Sequence, residues 1–158
     1  MGQLPKGVCD METHYSRGYS CDPCQTDHGP EPFAGTIVGM ARQNQNFRTA
    51  FWTGDRLQMT LMSIPPCGEI GAEMHPDTEQ FIRVEEGRAV VRMGECKEKL
   101  DLQHHLCAGD AVFVPCGTWH NILNSGRCPL KLSSVYAPSQ HARGTIHRTK
   151  GDSEGEEP

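Results

Sequence analysis

Glu73, His75, Glu79, Gln80 and His120 are the residues of this 158-residue chain whose types and spacing suit chemistry. Glu73 and His75 lie two apart, and side chains two apart on a strand leave the same face of the sheet. A carboxylate and an imidazole can therefore meet at one point. Gln80, five residues after His75, offers a further oxygen. His120 belongs to a second stretch, in which Gly109, Pro115, Gly117, His120 and Asn124 follow the spacing G-x5-P-x-G-x2-H-x3-N. A neighbouring strand can bring His120 to the Glu73–His75 pair. Two imidazoles with oxygen donors suit a divalent metal ion that keeps an open position.

The fourth ligand is a choice between Gln80 and Glu79. Gln80, Ile82 and Val84 share one strand face, apolar enough to be an interior. Glu79, Phe81, Arg83 and Glu85 share the other. Parity favours Gln80, although a carboxylate would be the stronger donor. With Glu73, His75, Gln80 and His120 bound, a divalent ion keeps a positive charge and an open position. The carboxylate hardens the site and favours Zn, Mn, Fe, Ni or Co over soft metals. Glu73 has two other readings: a surface carboxylate at a barrel rim, or a catalytic base if it is not a ligand.

The elements that must position these groups read as strands. They are Thr36–Met40, Phe47–Thr53, Leu57–Ile64, Gln80–Glu86, Ala89–Met93, Ala111–Val114, His120–Asn124 and Leu130–Tyr136. Gly54-Asp55, Gly94, Gly109-Asp110, Pro115–Gly117 and Ser125-Gly126 punctuate them as turns. No segment shows a sustained helical repeat. Many short strands with frequent turns predict a sandwich or barrel. Residues 1–34, with Cys9, Cys21 and Cys24, read as an irregular arm. Residues 35–148 form the barrel, and the acidic stretch 149–158 is expected to be disordered. His104 and His105 are placed in a loop, and His141 and His147 on the surface. A zinc site from Cys9, Cys21, Cys24 and His28 is a weak alternative to free thiols.

The stretches GEIGAEMHPDTEQFIRVEEG and GDAVFVPCGTWHNILN resemble the paired motifs of the cupin superfamily. The upstream family pattern is G-x5-H-x-H-x3-4-E-x6-G. His75 takes the place of its second histidine and Glu73 that of its first. Counting back from Gly87 puts Gln80 at its carboxylate position. The resemblance implies an all-β double-stranded β-helix, or jelly-roll barrel, carrying a divalent metal. It also implies activity on a small hydroxy-carbonyl molecule, of the sugar isomerase or epimerase kind found in phosphomannose isomerase-like cupins. Neither motif supplies an inward Lys/Arg pair to hold a phosphate. A non-heme iron dioxygenase is the alternative enzyme. A non-catalytic metal-binding, sugar-binding or coat protein is the third reading.

The formal charge of −5 is largely a tail effect, since Asp152, Glu154, Glu156 and Glu157 lie in the last eight residues. The near-neutral body argues against nucleic acid. No apolar run approaches the ~20 residues of a membrane helix, and the start of the chain has no signal-peptide pattern. A cytoplasmic homodimer with reduced thiols is expected, paired through sheet edges with Phe81, Arg83 and the N-terminal arm as contacts.

Overall fold

The computed structural model describes residues 25–155. Its elements, in chain order, are α1 (Ile37–Gln43), β1 (Arg48–Thr53), β2 (Gln58–Ile64), β3 (Glu79–Glu86), β4 (Arg88–Gly94), β5 (Leu102–Cys107), β6 (Ala111–Val114), β7 (Trp119–Asn124), β8 (Leu130–Ala137), β9 (Ile146–His147) and α2 (Lys150–Glu154). The strands make a six-stranded sheet, β6-β3-β8-β2-β1-β9, and a three-stranded sheet, β5-β4-β7. All pairings are antiparallel. This is the expected all-β barrel of two facing sheets.

Alternation decides what each strand buries. On β3, Gln80, Ile82 and Val84 are buried while Glu79 is exposed and Phe81 and Arg83 are partly covered. Register extends these positions across the sheet. One inward row runs Gln58, Tyr136, Gln80, Val114; the next runs Thr60, Ser134, Ile82, Val112. A third runs His147, Arg48, Met62, Leu132, Val84. The apolar members of these rows meet Ala89, Val91, Met93, Leu106 and Ile122 of the smaller sheet in one core. The apolar end of the barrel holds the sheets together, and the polar members are left for the site.

Four expectations need correction. Thr36–Met40 does not form a strand: Thr36 caps α1, its hydroxyl accepting from Gly39 N at 3.3 Å. Ile37, Met40 and Ala41 have the i, i+3, i+4 spacing of a helix face. They pack on Phe51 and Leu61, on the outer side of the large sheet. His104 and His105 lie on β5, paired with Val91 and Val90, rather than in a loop. The segment 138–149 turns back over the barrel and buries His147. The acidic tail begins as a helical turn, α2, where Asp152 accepts from Thr149 N at 2.9 Å.

Of the N-terminal arm, only residues 25–34 are described, so Cys9, Cys21 and Cys24 lie outside the described residues. Asp27 fixes the described part. Its carboxylate accepts from Thr53 N at 2.9 Å, Thr53 Oγ1 at 2.6 Å and Gly144 N at 3.0 Å. His28 donates its backbone N–H to Phe51 O and stacks on Phe33. The described cysteines, Cys67, Cys96, Cys107, Cys116 and Cys128, are free and exposed. No helix among the described residues is long and apolar enough to cross a membrane.

Candidate metal centre

The two motif stretches meet as a short antiparallel bridge. Glu73 N donates to His120 O and His120 N to Glu73 O, each at 2.9 Å. Gly117 N donates to His75 O at 2.8 Å, which ties the second motif's turn to the first motif's histidine. Gly117 holds this turn at φ 75, a conformation that an L side chain resists. The backbone therefore sets the three side chains before any ion arrives.

Glu73, His75 and His120 each turn one ligand atom to a common point, all within 4.8 Å of one another. Glu73 Oε1 lies 3.5 Å from His75 Nε2 and 3.4 Å from His120 Nε2. All three atoms are buried and none completes a hydrogen bond. Buried polar atoms without partners are costly, by about 1–3 kcal/mol each, and three of them aimed at one point fit a cation. His120 Nδ1 lies 3.0 Å from Thr118 O. A proton on Nδ1 would satisfy that carbonyl and leave the Nε2 lone pair for a metal, the usual outer-sphere arrangement. Burial pushes the Glu73 carboxyl up, but the imidazoles of His120 and His75 that face it outweigh this. The group sits well below the ordinary carboxylate range, and so is ionised.

Gln80 and Glu79 fall on opposite sides, as strand parity predicts. Gln80 is 3% exposed; its Nε2 donates to Ser134 Oγ at 2.8 Å and its Oε1 has no partner. Glu79 is exposed. Cys67 and Cys116 are exposed on the motif loops. Trp52 lies on the outer side with Phe51 and Leu61, its Nε1 donating to Glu31 O at 2.8 Å.

Sequence reasoning missed the polar groups that share the barrel with this cluster. The rings of His120, His75, Tyr136, His141 and His147 follow one another at centroid separations of 5.5, 5.8, 5.2 and 6.3 Å. His141 is delivered by Gln58, which is fully buried. Gln58 Nε2 donates to His141 O at 2.9 Å, while Gln58 Oε1 accepts from His141 N at 2.9 Å and Gln140 N at 3.2 Å. Arg48, on β1, turns inward beside His147, with Nη1 3.4 Å from His147 Nδ1. The available signals were the polar residues at inward positions of β1, β2 and β8, but no local spacing links them.

His141 gives a pH prediction. Burial, then the Arg48 charge, pushes its imidazole down to about 3 from the ordinary 6.5. Between these values the unfolded chain takes up a proton that the folded chain refuses, so stability rises with pH there. The contribution is fully present above 6.5 and is lost as pH falls toward 3. His141→Gln should flatten this part of the profile in denaturant melts of metal-free protein. An unchanged slope would show that His141 titrates in solvent.

Comparison with known proteins agrees with this architecture. A family model described as a cupin domain matches residues 60–136. The Bacillus subtilis protein YrkC is 49% identical over 126 residues, covering 80% of this chain and 68% of YrkC. The mimivirus protein L612, of Acanthamoeba polyphaga mimivirus, is 38% identical over 114 residues, covering 72% of this chain and 69% of L612. The crystal structure of BH2720 from Bacillus halodurans superposes with a TM-score of 0.81 at 50% identity, covering 82% of this chain and 98% of that one. These likenesses, with two facing antiparallel sheets and paired motifs that meet at one buried point, place the chain in the cupin family.

Proposed function

We propose that this protein is a metal-dependent enzyme acting on a small hydroxy-carbonyl molecule, in the manner of a sugar isomerase or epimerase. The observation that carries the reading is the convergence of Glu73 Oε1, His75 Nε2 and His120 Nε2, buried and without partners. Gln80 Oε1 is the proposed fourth ligand atom. A bound divalent ion supplies a Lewis acid that polarises a carbonyl and its neighbouring hydroxyl. Glu73 is the proposed catalytic group if it moves a proton between adjacent carbons. Its low carboxyl makes it a weak base, so ligation is the duty its geometry supports better.

A second reading has one specific observation behind it. Two histidines and one carboxylate are the ligand set of non-heme iron enzymes that handle dioxygen. Elemental analysis of protein purified without added metal separates the two. Zinc or manganese supports the isomerase reading, and iron bound near one equivalent supports the oxygenase. A protein that holds no divalent metal in either state would overturn both.

The Glu79 and Gln80 pair tests the ligand set. Gln80→Ala should weaken metal binding by more than about 10-fold, since even a supporting residue around a metal is worth that much. Glu79→Ala should leave metal content unchanged, because that side chain is exposed. The reverse order in a competition titration would remove Gln80 from the site.

The proposal includes a cytoplasmic homodimer. Trp52, Met59, Val135, Phe81 and Phe113 form one outward row across five strands, and Phe113, on the edge strand β6, is 75% exposed. Such an apolar row on a sheet edge favours pairing. Phe113→Glu should convert a dimer to a monomer in light scattering. A wild-type monomer at micromolar concentration would remove the dimer.

A further inference from the structure

Arg48 is a buried cation that the metal centre does not use. It is 4% exposed, and its Nε has no hydrogen-bond partner. Nη1 reaches only a ring nitrogen of His147 at 3.4 Å, and the guanidinium lies 5.5 Å from the centre of the Phe47 ring. No carboxylate among the described residues forms an ion pair with it. Desolvating a guanidinium without a counter-charge is costly, by several kcal/mol in general terms. A stable fold that keeps one here has a use for it.

Three further polar atoms of the same interior are also without partners. Tyr136 Oη completes no hydrogen bond, although the Ser134 and Thr60 hydroxyls face it, and Thr60 Oγ1 is itself unsatisfied. His141 Nε2 is buried and unpartnered. Arg48 meets His147 at 3.4 Å, the His147 ring lies 6.3 Å from that of His141, and the His141 ring 5.2 Å from that of Tyr136, which puts all three around one region. Tyr136 Oη and His141 Nε2 are buried atoms with no partner of their own, and both can share hydrogen bonds with an anion. The Tyr136 ring joins this region to the metal centre, 5.2 Å from His141 and 5.8 Å from His75.

We propose that Arg48, Tyr136 and His141 form an anion subsite that takes the carboxylate of a small hydroxy or keto acid, whose other oxygens face Glu73, His75 and His120. The proposal deepens the metal-dependent reading and rests on it for the second half of the ligand. The charge count selects a carboxylate over a phosphate. Glu73, whose charge also acts on Tyr136 and His141, is committed to the metal, so one guanidinium balances a monoanion, whereas a phosphate near −2 calls for a second cation. The other buried cation among the described residues, Lys131, is committed elsewhere: its ammonium donates to Asn44 O at 2.6 Å and Ser63 Oγ at 3.0 Å. A guanidinium fork also matches a carboxylate with two parallel hydrogen bonds.

The test compares acids with their uncharged counterparts on the full chain. Glycolate, L-lactate and D-glycerate are titrated by ligand-detected NMR against ethylene glycol, 1,2-propanediol and glycerol, with inorganic phosphate as the competing anion. Each titration is run on metal-free and zinc-loaded protein, with bound metal measured in parallel. At least one acid should bind wild type more than 10-fold tighter than its diol or triol. Arg48→Gln should remove that preference and keep bound zinc unchanged, and Arg48→Lys should keep part of it. Tyr136→Phe should weaken the acid several-fold, and it supplies the readout if Arg48→Gln does not fold. Equal binding of acid and polyol, no acid binding at all, or tighter binding of phosphate would overturn the subsite. The metal reading fails separately: Arg48-dependent acid binding in a protein that takes up no zinc would leave the subsite standing alone.

Discussion

His120→Ala should strip the metal from this protein and leave the barrel folded. The variant removes one of three converging ligand atoms. Loss of a supporting residue around a metal costs 10–100-fold in affinity, so loss of a ligand should cost more than about 100-fold. The fold should persist because the backbone exchange between Glu73 and His120 does not need the imidazole. The variant also deletes an unsatisfied buried nitrogen, which offsets part of the lost packing. Metal-free variant and metal-free wild type should therefore differ by no more than about 1–2 kcal/mol, the ordinary range for one substitution. Added zinc gives the contrasting result. An ion at 100 times its dissociation constant adds about 2.7 kcal/mol to the native state, so zinc should raise the Tm of wild type and not that of His120→Ala. Stoichiometric metal in the purified variant would show that the centre lies elsewhere.

Asn124→Ala should do the opposite: cost stability and spare the metal. Asn124 stands four residues after His120 in the same motif, yet its side chain does structural work. Its Nδ2 donates to Ile64 O and Cys128 O, each at 2.9 Å, and its Oδ1 accepts from Gly126 N at 2.8 Å. It joins the end of β2 to the turn that leads into β8. Truncation leaves three backbone groups to find other partners. At about 1–3 kcal/mol for each group left buried and unpaired, and with water reaching some of them, the loss should be about 2–4 kcal/mol. Urea melts with metal titration would measure both quantities. A variant as stable as wild type would show that the turn re-forms its bonds by another route. The two variants together divide one motif into a part that holds an ion and a part that holds the chain.

The strands that carried alternation were legible in the sequence, because half-burial imposes a period of two. Gln80, Ile82 and Val84 could be turned inward from their parity alone, and burial agrees. The helix α1 was not legible. Ile37 and Val38 are β-branched, and the helical spacing of Ile37, Met40 and Ala41 spans little more than one turn. Its helicity comes from packing on Phe51 and Leu61, which lie on other elements. Strand β5 was missed for a different reason. It is an edge strand with most positions exposed, so Leu102–Cys107 has little apolar pattern to show. At the site, Glu73, His75 and His120 were legible because each pair of neighbours is close in sequence or fixed by a motif. Arg48 and His147 were not, since cross-strand pairing brings together residues 99 apart.

The hold of Gln58 on the segment carrying His141 ties the stretch with the candidate ligands to residues on either side of it. The stretch that matches the family domain, residues 60–136, contains Glu73, His75, Gln80 and His120. Arg48, Gln58, His141 and His147 all lie outside it, yet they line the same interior. The candidate ligands thus come from one continuous stretch, whereas the interior around them draws also on residues before and after it. Residues 138–147 cross the barrel as a connection anchored at Gln58 and at Asp27, and it carries none of the converging ligand atoms. A change of sequence confined to this connection would therefore alter the wall that faces the candidate metal centre and none of its ligand atoms.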